Sequence, residues 1–158
     1  MLTLTALLPT HNDALRLGRC LETVYPCDRI VIVDHGSSDD TVAIARDYGA
    51  LVTGVRADAS PSDYIRSDSG WILCLDPRES VSESLAADLY QWKLQAGTPQ
   101  VPAFSVFLRE ETADGWVQVP QAQTRLVPPG WNRWQEFLPQ DDSAAVALEG
   151  ELLRFRFP

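Results

Sequence analysis

The apolar run Ile30-Val31-Ile32-Val33 empties directly into Asp34-His35-Gly36-Ser37-Ser38-Asp39-Asp40-Thr41. Consecutive branched aliphatic residues suit a strand buried on both faces, and the glycine, serines and aspartates that follow suit a tight polar turn opening a helix. The junction constrains the chain to an α/β architecture in which a strand end opens a pocket, because ligands of open α/β sheets bind at the carboxyl ends of the strands. Two other apolar runs end in the same way. Leu4 to Leu8 closes on Pro9-Thr10-His11-Asn12, and Trp71 to Leu75 closes on Asp76-Pro77-Arg78-Glu79.

Between these junctions strand and helix patterns alternate. Leu17, Cys20, Leu21 and Val24 have the spacing of one buried helical face and predict a helix from about Asp13 to Pro26. Arg29 to Val33 predicts a second strand, Asp39 to Tyr48 a helix stopped by Gly49, and Ala50 to Val55 a third strand. The polar stretch from Arg56 to Gly70 predicts a loop with one helical turn near Tyr64, and Ser82 to Gln95 predicts a helix. Ser80 and Glu83 have capping-box spacing, which allows an earlier start. After Pro99 the pattern changes to strands and turns. Ala103 to Leu108 and Trp116 to Val119 predict a hairpin around Asp114-Gly115, Thr124 to Val127 a further strand, and Leu153, Phe155 and Phe157 an alternating C-terminal strand. The alternation predicts a parallel N-terminal sheet, within one domain over residues 1–158 made of a half over 1–98 and a strand-rich half over 99–158.

Charge and composition exclude several classes. The formal net charge of −9, with Lys93 as the one lysine, lacks the basic stripe that nucleic acid binding needs. No apolar run approaches the ~18 residues of a membrane span, and Met1-Leu2-Thr3-Leu4-Thr5 lacks the basic start and long apolar core of an export signal, so a cytoplasmic location is expected. Cys20, Cys27 and Cys74 show no metal-type pairing and read as reduced, packed thiols. So acidic a chain would repel a phosphate ligand at long range, and a diphosphate would need a cation or a placed arginine.

Pro9-Thr10-His11-Asn12-Asp13, Asp34 with its loop, and Trp71-Ile72-Leu73-Cys74-Leu75-Asp76-Pro77-Arg78-Glu79 together resemble the family 2 glycosyltransferases of the GT-A fold. The resemblance implies a mixed central sheet with helices on both faces. It also implies a nucleotide site at Pro9, Thr10, His11, Asn12, Asp34 and Asp76, and transfer of a sugar from a nucleotide-diphosphate donor to an acceptor hydroxyl in cell-envelope or polysaccharide synthesis. The alternative is a degenerate member that binds without turnover. In the family a strand ending in Asp-x-Asp-Glu holds Mg²⁺ or Mn²⁺ against the diphosphate. Here Arg78 takes the second aspartate position, so a metal site at Asp76 and Glu79 is weakened or lost, and Arg78 and Arg154 become candidate phosphate ligands. His35 stands where the family has a second acid.

The C-terminal half is similar to enzymes that modify lipopolysaccharide cores, through Thr124-Arg125-Leu126 and then Gln135-Glu136. Aligned on these, Gln135 and Arg154 replace two histidines and Glu136 keeps the acid. Glu136 is therefore either the general base toward an acceptor hydroxyl or an exposed loop acid. Trp116, Trp131 and Trp134 read either as a sugar-stacking platform or as core. Asn12 and Asp13 read equally as helix caps, and Asp39 and Asp40 as structural residues of the helix start.

Overall fold

The computed structural model describes residues 1–66, 70–95, 97 and 99–158. Its strands are β1 (Leu4–Thr10), β2 (Arg29–Asp34), β3 (Leu51–Gly54), β4 (Trp71–Cys74), β5 (Glu79–Val81), β6 (Phe104–Thr112), β7 (Gly115–Gln118), β8 (Gln123–Val127), β9 (Trp134–Gln135), β10 (Leu138–Pro139) and β11 (Val146–Arg154). The helices are α1 (Leu17–Leu21), α2 (Thr41–Asp47) and α3 (Glu83–Lys93), with a one-turn 3-10 helix at Pro61–Tyr64. The main sheet runs in the order β3-β2-β1-β4-β8-β6-β11-β5, with β7 paired to β6, while β9 and β10 form a separate small hairpin. Strands β3, β2, β1 and β4 are parallel, β8 is antiparallel to β4 and β6, and β11 returns parallel to β6.

Alternation along the parallel strands divides the core. Leu4, Ala6, Leu8, Ile32, Trp71 and Leu73 face α1, α2 and α3, whose Leu17, Cys20, Ala45, Leu85, Leu89 and Trp92 belong to the same cluster. Leu7, Val31, Val33, Ile72 and Cys74 face the other way, against Trp131, Tyr64, Trp134 and Phe137. Helical cover is thus unequal. The three α-helices share one face, and the 3-10 turn with the segment around the β9-β10 hairpin closes the other.

Several boundaries differ from expectation for local reasons. Helix α1 is only five residues long, although all four residues of its expected apolar face are buried. The Thr23 hydroxyl donates to the Cys20 carbonyl and accepts from the Val81 N–H, turning the chain toward β5 before Pro26 is reached. Strand β5 was not expected from the pattern, and with it Ser80 becomes sheet while Ser82 caps α3 by accepting from the Leu85 N–H. Strand β6 runs on through the polar residues 109–112, where each pairs with β7 across a turn at 113–114. In β11 the fully buried residue is Leu152 rather than Leu153, and Phe155 and Phe157 lie beyond the strand. Of the expected loop over 56–70, residues 67–69 lie outside the described residues, as does Thr98 at the boundary between the two halves.

Helix α3 meets β11 at Gly150. A Cβ there would stand 2.3 Å from both N and Cα of Leu85, inside any real contact, and the Gly150 N–H donates to Asp88 on the same helix. Because the obstacle is backbone, Gly150→Ala must push α3 off the sheet. The expected cost is about 1–3 kcal/mol or more, as for overpacking a filled core. A denaturant midpoint equal to wild type would show that this contact is looser than described.

Candidate functional site

The site lies at the carboxyl ends of β1, β2 and β4, with the β9-β10 hairpin reaching over them. Thr10 and Asp34 are register partners on neighbouring parallel strands, and the Thr10 hydroxyl donates to Asp34 Oδ1 at 2.8 Å. Ser37 donates twice to the same carboxylate, from its N–H at 2.9 Å and its hydroxyl at 2.6 Å. Burial alone would raise the Asp34 carboxyl, but the bonds from Ser37, from Thr10 and from the Gly36 N–H outweigh it and hold the group below the ordinary aspartate range. The expected reader of a base is therefore a carboxylate already accepting from its own loop.

The loops after β1 and β2 brace each other. Asn12, at φ 52°, receives the Ser38 N–H on its side-chain oxygen at 2.8 Å and gives its own N–H to the Ser37 hydroxyl at 2.9 Å. The Asp13 N–H donates to the Thr41 hydroxyl, and Ala14 N–H donates to Asp39. Asp39 also accepts from the N–H and hydroxyl of Thr41, so it orders the start of α2 while Asp40 makes no side-chain cap. Each of the His11 and His35 rings turns Nδ1 to a backbone carbonyl, of His35 and Val33 respectively, which can only accept, so each ring donates from Nδ1.

A cavity of about 390 Å³ opens here, lined by Pro9, Thr10, His11 and His35 after β1 and β2, by Asp76 and Arg78 after β4, and by Glu136 and Phe137 of the hairpin. Phe137 packs edge-on to His35 at 5.4 Å and tilted against Tyr64 at 6.0 Å, tying the hairpin to the base of the cavity. A second cavity, of about 430 Å³, lies on the other side of Glu136 among Gln123, Arg125, Gln135, Asp141 and Arg154. Glu136 lines both. It sits at the two-residue tip of the hairpin with φ 54°, a left-handed backbone that glycine would adopt without strain.

The turn after β4 departs most from expectation. Glu79 is fully buried, and every hydrogen-bonding direction of its carboxylate is used. Oε1 accepts from Arg125 Nη1 at 2.6 Å and from the Asp76 N–H at 2.9 Å. Oε2 accepts from Arg125 Nη2 at 2.8 Å and from Arg154 Nη2 and Nε at 2.8 and 3.1 Å. Burial would raise this carboxyl, yet Arg125, Arg154 and the Asp76 N–H hold it below the ordinary glutamate value of 4.5. Asp76 is chelated in turn by Arg78, through Nε to Oδ1 at 3.0 Å and Nη2 to Oδ2 at 3.2 Å. A divalent cation at such a turn would neutralise a leaving diphosphate, and these residues do not fit one. The expected ligand Glu79 is a buried structural anion, Asp76 already has a guanidinium, and no cluster of three or more His, Cys, Asp or Glu suited to a metal occurs among the described residues.

The other expected residues fall into place around this frame. Arg78 lines the first cavity, while Arg154 lines the second and is committed to Glu79 and Glu110. Arg16, also on the first cavity wall, was not foreseen. Its Nη1 pairs with Asp13 at 3.3 Å, and its Nε is buried without a partner among the described residues. Arg125 was visible in its motif, but its partner Glu79 is 46 residues away. The tryptophans do not form one platform: Trp131 is core, Trp134 packs against the same cluster, and Trp116 meets Phe155 at 5.1 Å. Burial pushes the thiols of Cys27 and Cys74 up to about 12, consistent with packing rather than reactivity.

A mixed α/β sheet of this order, with paired loops at the carboxyl edge and an acid-bearing turn after the fourth strand, has the GT-A fold of the nucleotide-sugar transferases. Residues 5–76 match the family model described as Glycosyl transferase family 2. Over 69 residues, 41% of this chain and 18% of the relative, the sequence is 35% identical to the 4,4'-diaponeurosporenoate glycosyltransferase of Staphylococcus aureus (strain bovine RF122 / ET3-1). Over 119 residues, 72% of this chain and 28% of the relative, it is 37% identical to a TPR repeat-containing protein of Synechococcus elongatus. The solved structure of S. aureus TarS 1-349 in complex with UDP superposes at a TM-score of 0.52 and 15% identity, over 75% of this chain and 38% of that one. The chain spans less than a third of the length of these curated relatives. The narrower likeness to lipopolysaccharide-core enzymes finds no support in them.

The buried cluster sets an acid limit on stability. A carboxyl held below its unfolded value stabilises the fold above that value and loses the contribution as pH falls through the folded one. Glu79 therefore contributes fully above pH 4.5 and progressively less below it. Glu79→Gln leaves the buried Arg125 guanidinium without its anion, takes one of two carboxylate partners from Arg154, and is expected to cost about 3–5 kcal/mol. Thermal melts should fall by roughly 10 °C at pH 7 for a domain of this size, and the gap to wild type should narrow as pH falls below 4.5. A gap that does not change with pH would remove Glu79 as the titrating group.

Proposed function

We propose that this chain transfers a sugar from a nucleoside-diphosphate donor in the first cavity to an acceptor hydroxyl presented from the second. The observation that carries this reading is Glu136, the shared wall of both cavities, held in a backbone conformation that costs a non-glycine residue about 1–2 kcal/mol. Strain of this kind persists where the surrounding structure imposes it, and it clusters at functional sites. The Glu136 carboxylate accepts the proton of the acceptor hydroxyl as that oxygen attacks the anomeric carbon. The bond to the diphosphate breaks on the opposite side, so nucleoside diphosphate leaves and the anomeric centre inverts.

On this reading Thr10 and Asp34 act mainly by shaping the loop, and the base packs near the rings of His11, His35 and Phe137. Pro9, Thr10, His11 and Asp76 form the donor wall, and Asn12 supports it from outside the cavity. The acceptor belongs to the cell envelope or to a polysaccharide, and the reaction takes place in the cytoplasm, where nucleotide sugars are made. Among the described residues no helix is long and apolar enough to cross a membrane.

One observation favours a second reading. Both acids of the 76–79 turn are paired with arginine, which suits a module that binds a sugar nucleotide without turning it over. The two separate on Glu136. With UDP-glucose and other UDP-sugars as probes, UDP release by wild type and its loss by about 10²–10⁴-fold in Glu136→Gln, with UDP binding retained, is the expected result for a general base. Glu136→Gly should melt at or above the wild-type temperature while losing the same activity, because the left-handed backbone then costs nothing. Wild type that binds UDP and releases none from any sugar nucleotide would establish the binding module.

A further inference from the structure

We infer that this chain holds its donor diphosphate without a divalent cation, with the guanidinium of Arg78 standing where the metal of a metal-dependent site would bind. The inference rests on the donor reading above and concerns how that site is charged.

Mg²⁺ and Mn²⁺ are hard cations that need oxygen ligands with free lone pairs, supplied by one or two carboxylates together with phosphate oxygens. Among the described residues four carboxylates approach the turn and the first cavity, and three are spent. Glu79 accepts five N–H bonds and is sealed from solvent. Asp76 accepts Arg78 on both oxygens and the Arg78 backbone N–H on Oδ1 at 2.9 Å. Asp13 accepts the His11 N–H on one oxygen and pairs with Arg16 on the other. Among the described residues only Glu136 is left, at the hairpin tip. A cation reaching Asp76 would have to displace Arg78 and then remain beside its positive charge.

The same groups provide for an anion. A guanidinium has five N–H donors in a rigid fork matched to phosphate oxygens. Arg78 spends two of its side-chain donors on Asp76, is half exposed, and lines the cavity. Arg16 lines it too and carries a buried Nε that no acceptor satisfies among the described residues. Asp76 thus orients Arg78, its carboxylate holding the fork while the remaining N–H groups stay available.

The test uses Mn²⁺ and UDP as probes on wild type, Arg78→Ala and Arg78→Asp. Wild type should leave the electron paramagnetic resonance signal of free Mn²⁺ unattenuated, and its calorimetric affinity for UDP should be the same within twofold in EDTA and in Mn²⁺. Arg78→Ala should weaken UDP at least tenfold in EDTA. Arg78→Asp, which frees Asp76 and adds an acid, should lose UDP in EDTA, attenuate the Mn²⁺ signal and recover UDP binding when Mn²⁺ is added. Attenuation of the signal by wild type, a tenfold gain in its UDP affinity with Mn²⁺, or unchanged affinity in Arg78→Ala would overturn the inference while leaving the donor reading standing. No UDP binding by wild type in either condition would overturn both.

Discussion

Glu79 is the constraint on which the rest of the structure depends. One buried carboxylate joins the turn after β4 through the Asp76 N–H, the middle of the sheet through Arg125 on β8, and the far side through Arg154 on β11. Removing Glu79 and Arg125 from water, with Arg154 largely covered beside them, is expensive, and only complete hydrogen bonding makes such a cluster tolerable. Here it is nearly complete, because Arg125 also donates to the Cys74 carbonyl and the Gln123 side chain. The cluster locks the register between the parallel N-terminal strands and the antiparallel remainder, and it fixes the height at which Asp76 and Arg78 meet the first cavity.

The second organising element is the mutual bracing of the loops after β1 and β2. Asn12, Asp13, Asp34, Ser37, Ser38, Asp39 and Thr41 exchange hydrogen bonds across two chain segments that lie adjacent because β1 and β2 are parallel neighbours. Polar residues that suggest ligand contacts in sequence are here largely ligands for each other. The cavity wall is stiff on that side. On the other side, the β9-β10 hairpin is held by Trp134, Phe137 and Leu138 against the second core cluster, with Phe137 meeting His35 and Tyr64.

What could be read in the sequence follows the range of the interactions. Strands β1, β2 and β4 declare themselves because each is a continuous apolar run closed by a turn signal. The face of α1 is legible from Leu17, Cys20, Leu21 and Val24, while its early end is not, because Thr23 is recruited by Val81 from 58 residues away. Strand β5 is three residues beginning with a glutamate, and no local pattern marks an acid that two distant arginines will bury. The phase of β11 went unread for the same reason, since Arg154 turns toward Glu79. At the candidate site the positions of Thr10, Asp34, Asp76 and Arg78 were legible, their partners were not, and Arg16 and Phe137 gave no signal beyond ordinary helix and loop composition.

The cluster of Glu79 with Arg125 and Arg154 carries one net positive charge inside a chain whose formal net is −9. A polyanionic ligand approaches against that field and meets positive charge only at close range. Added salt screens the long-range repulsion more than it weakens a desolvated contact. Encounter with such a ligand would therefore quicken with ionic strength while the final grip loosens, so that speed and affinity respond to salt in opposite directions.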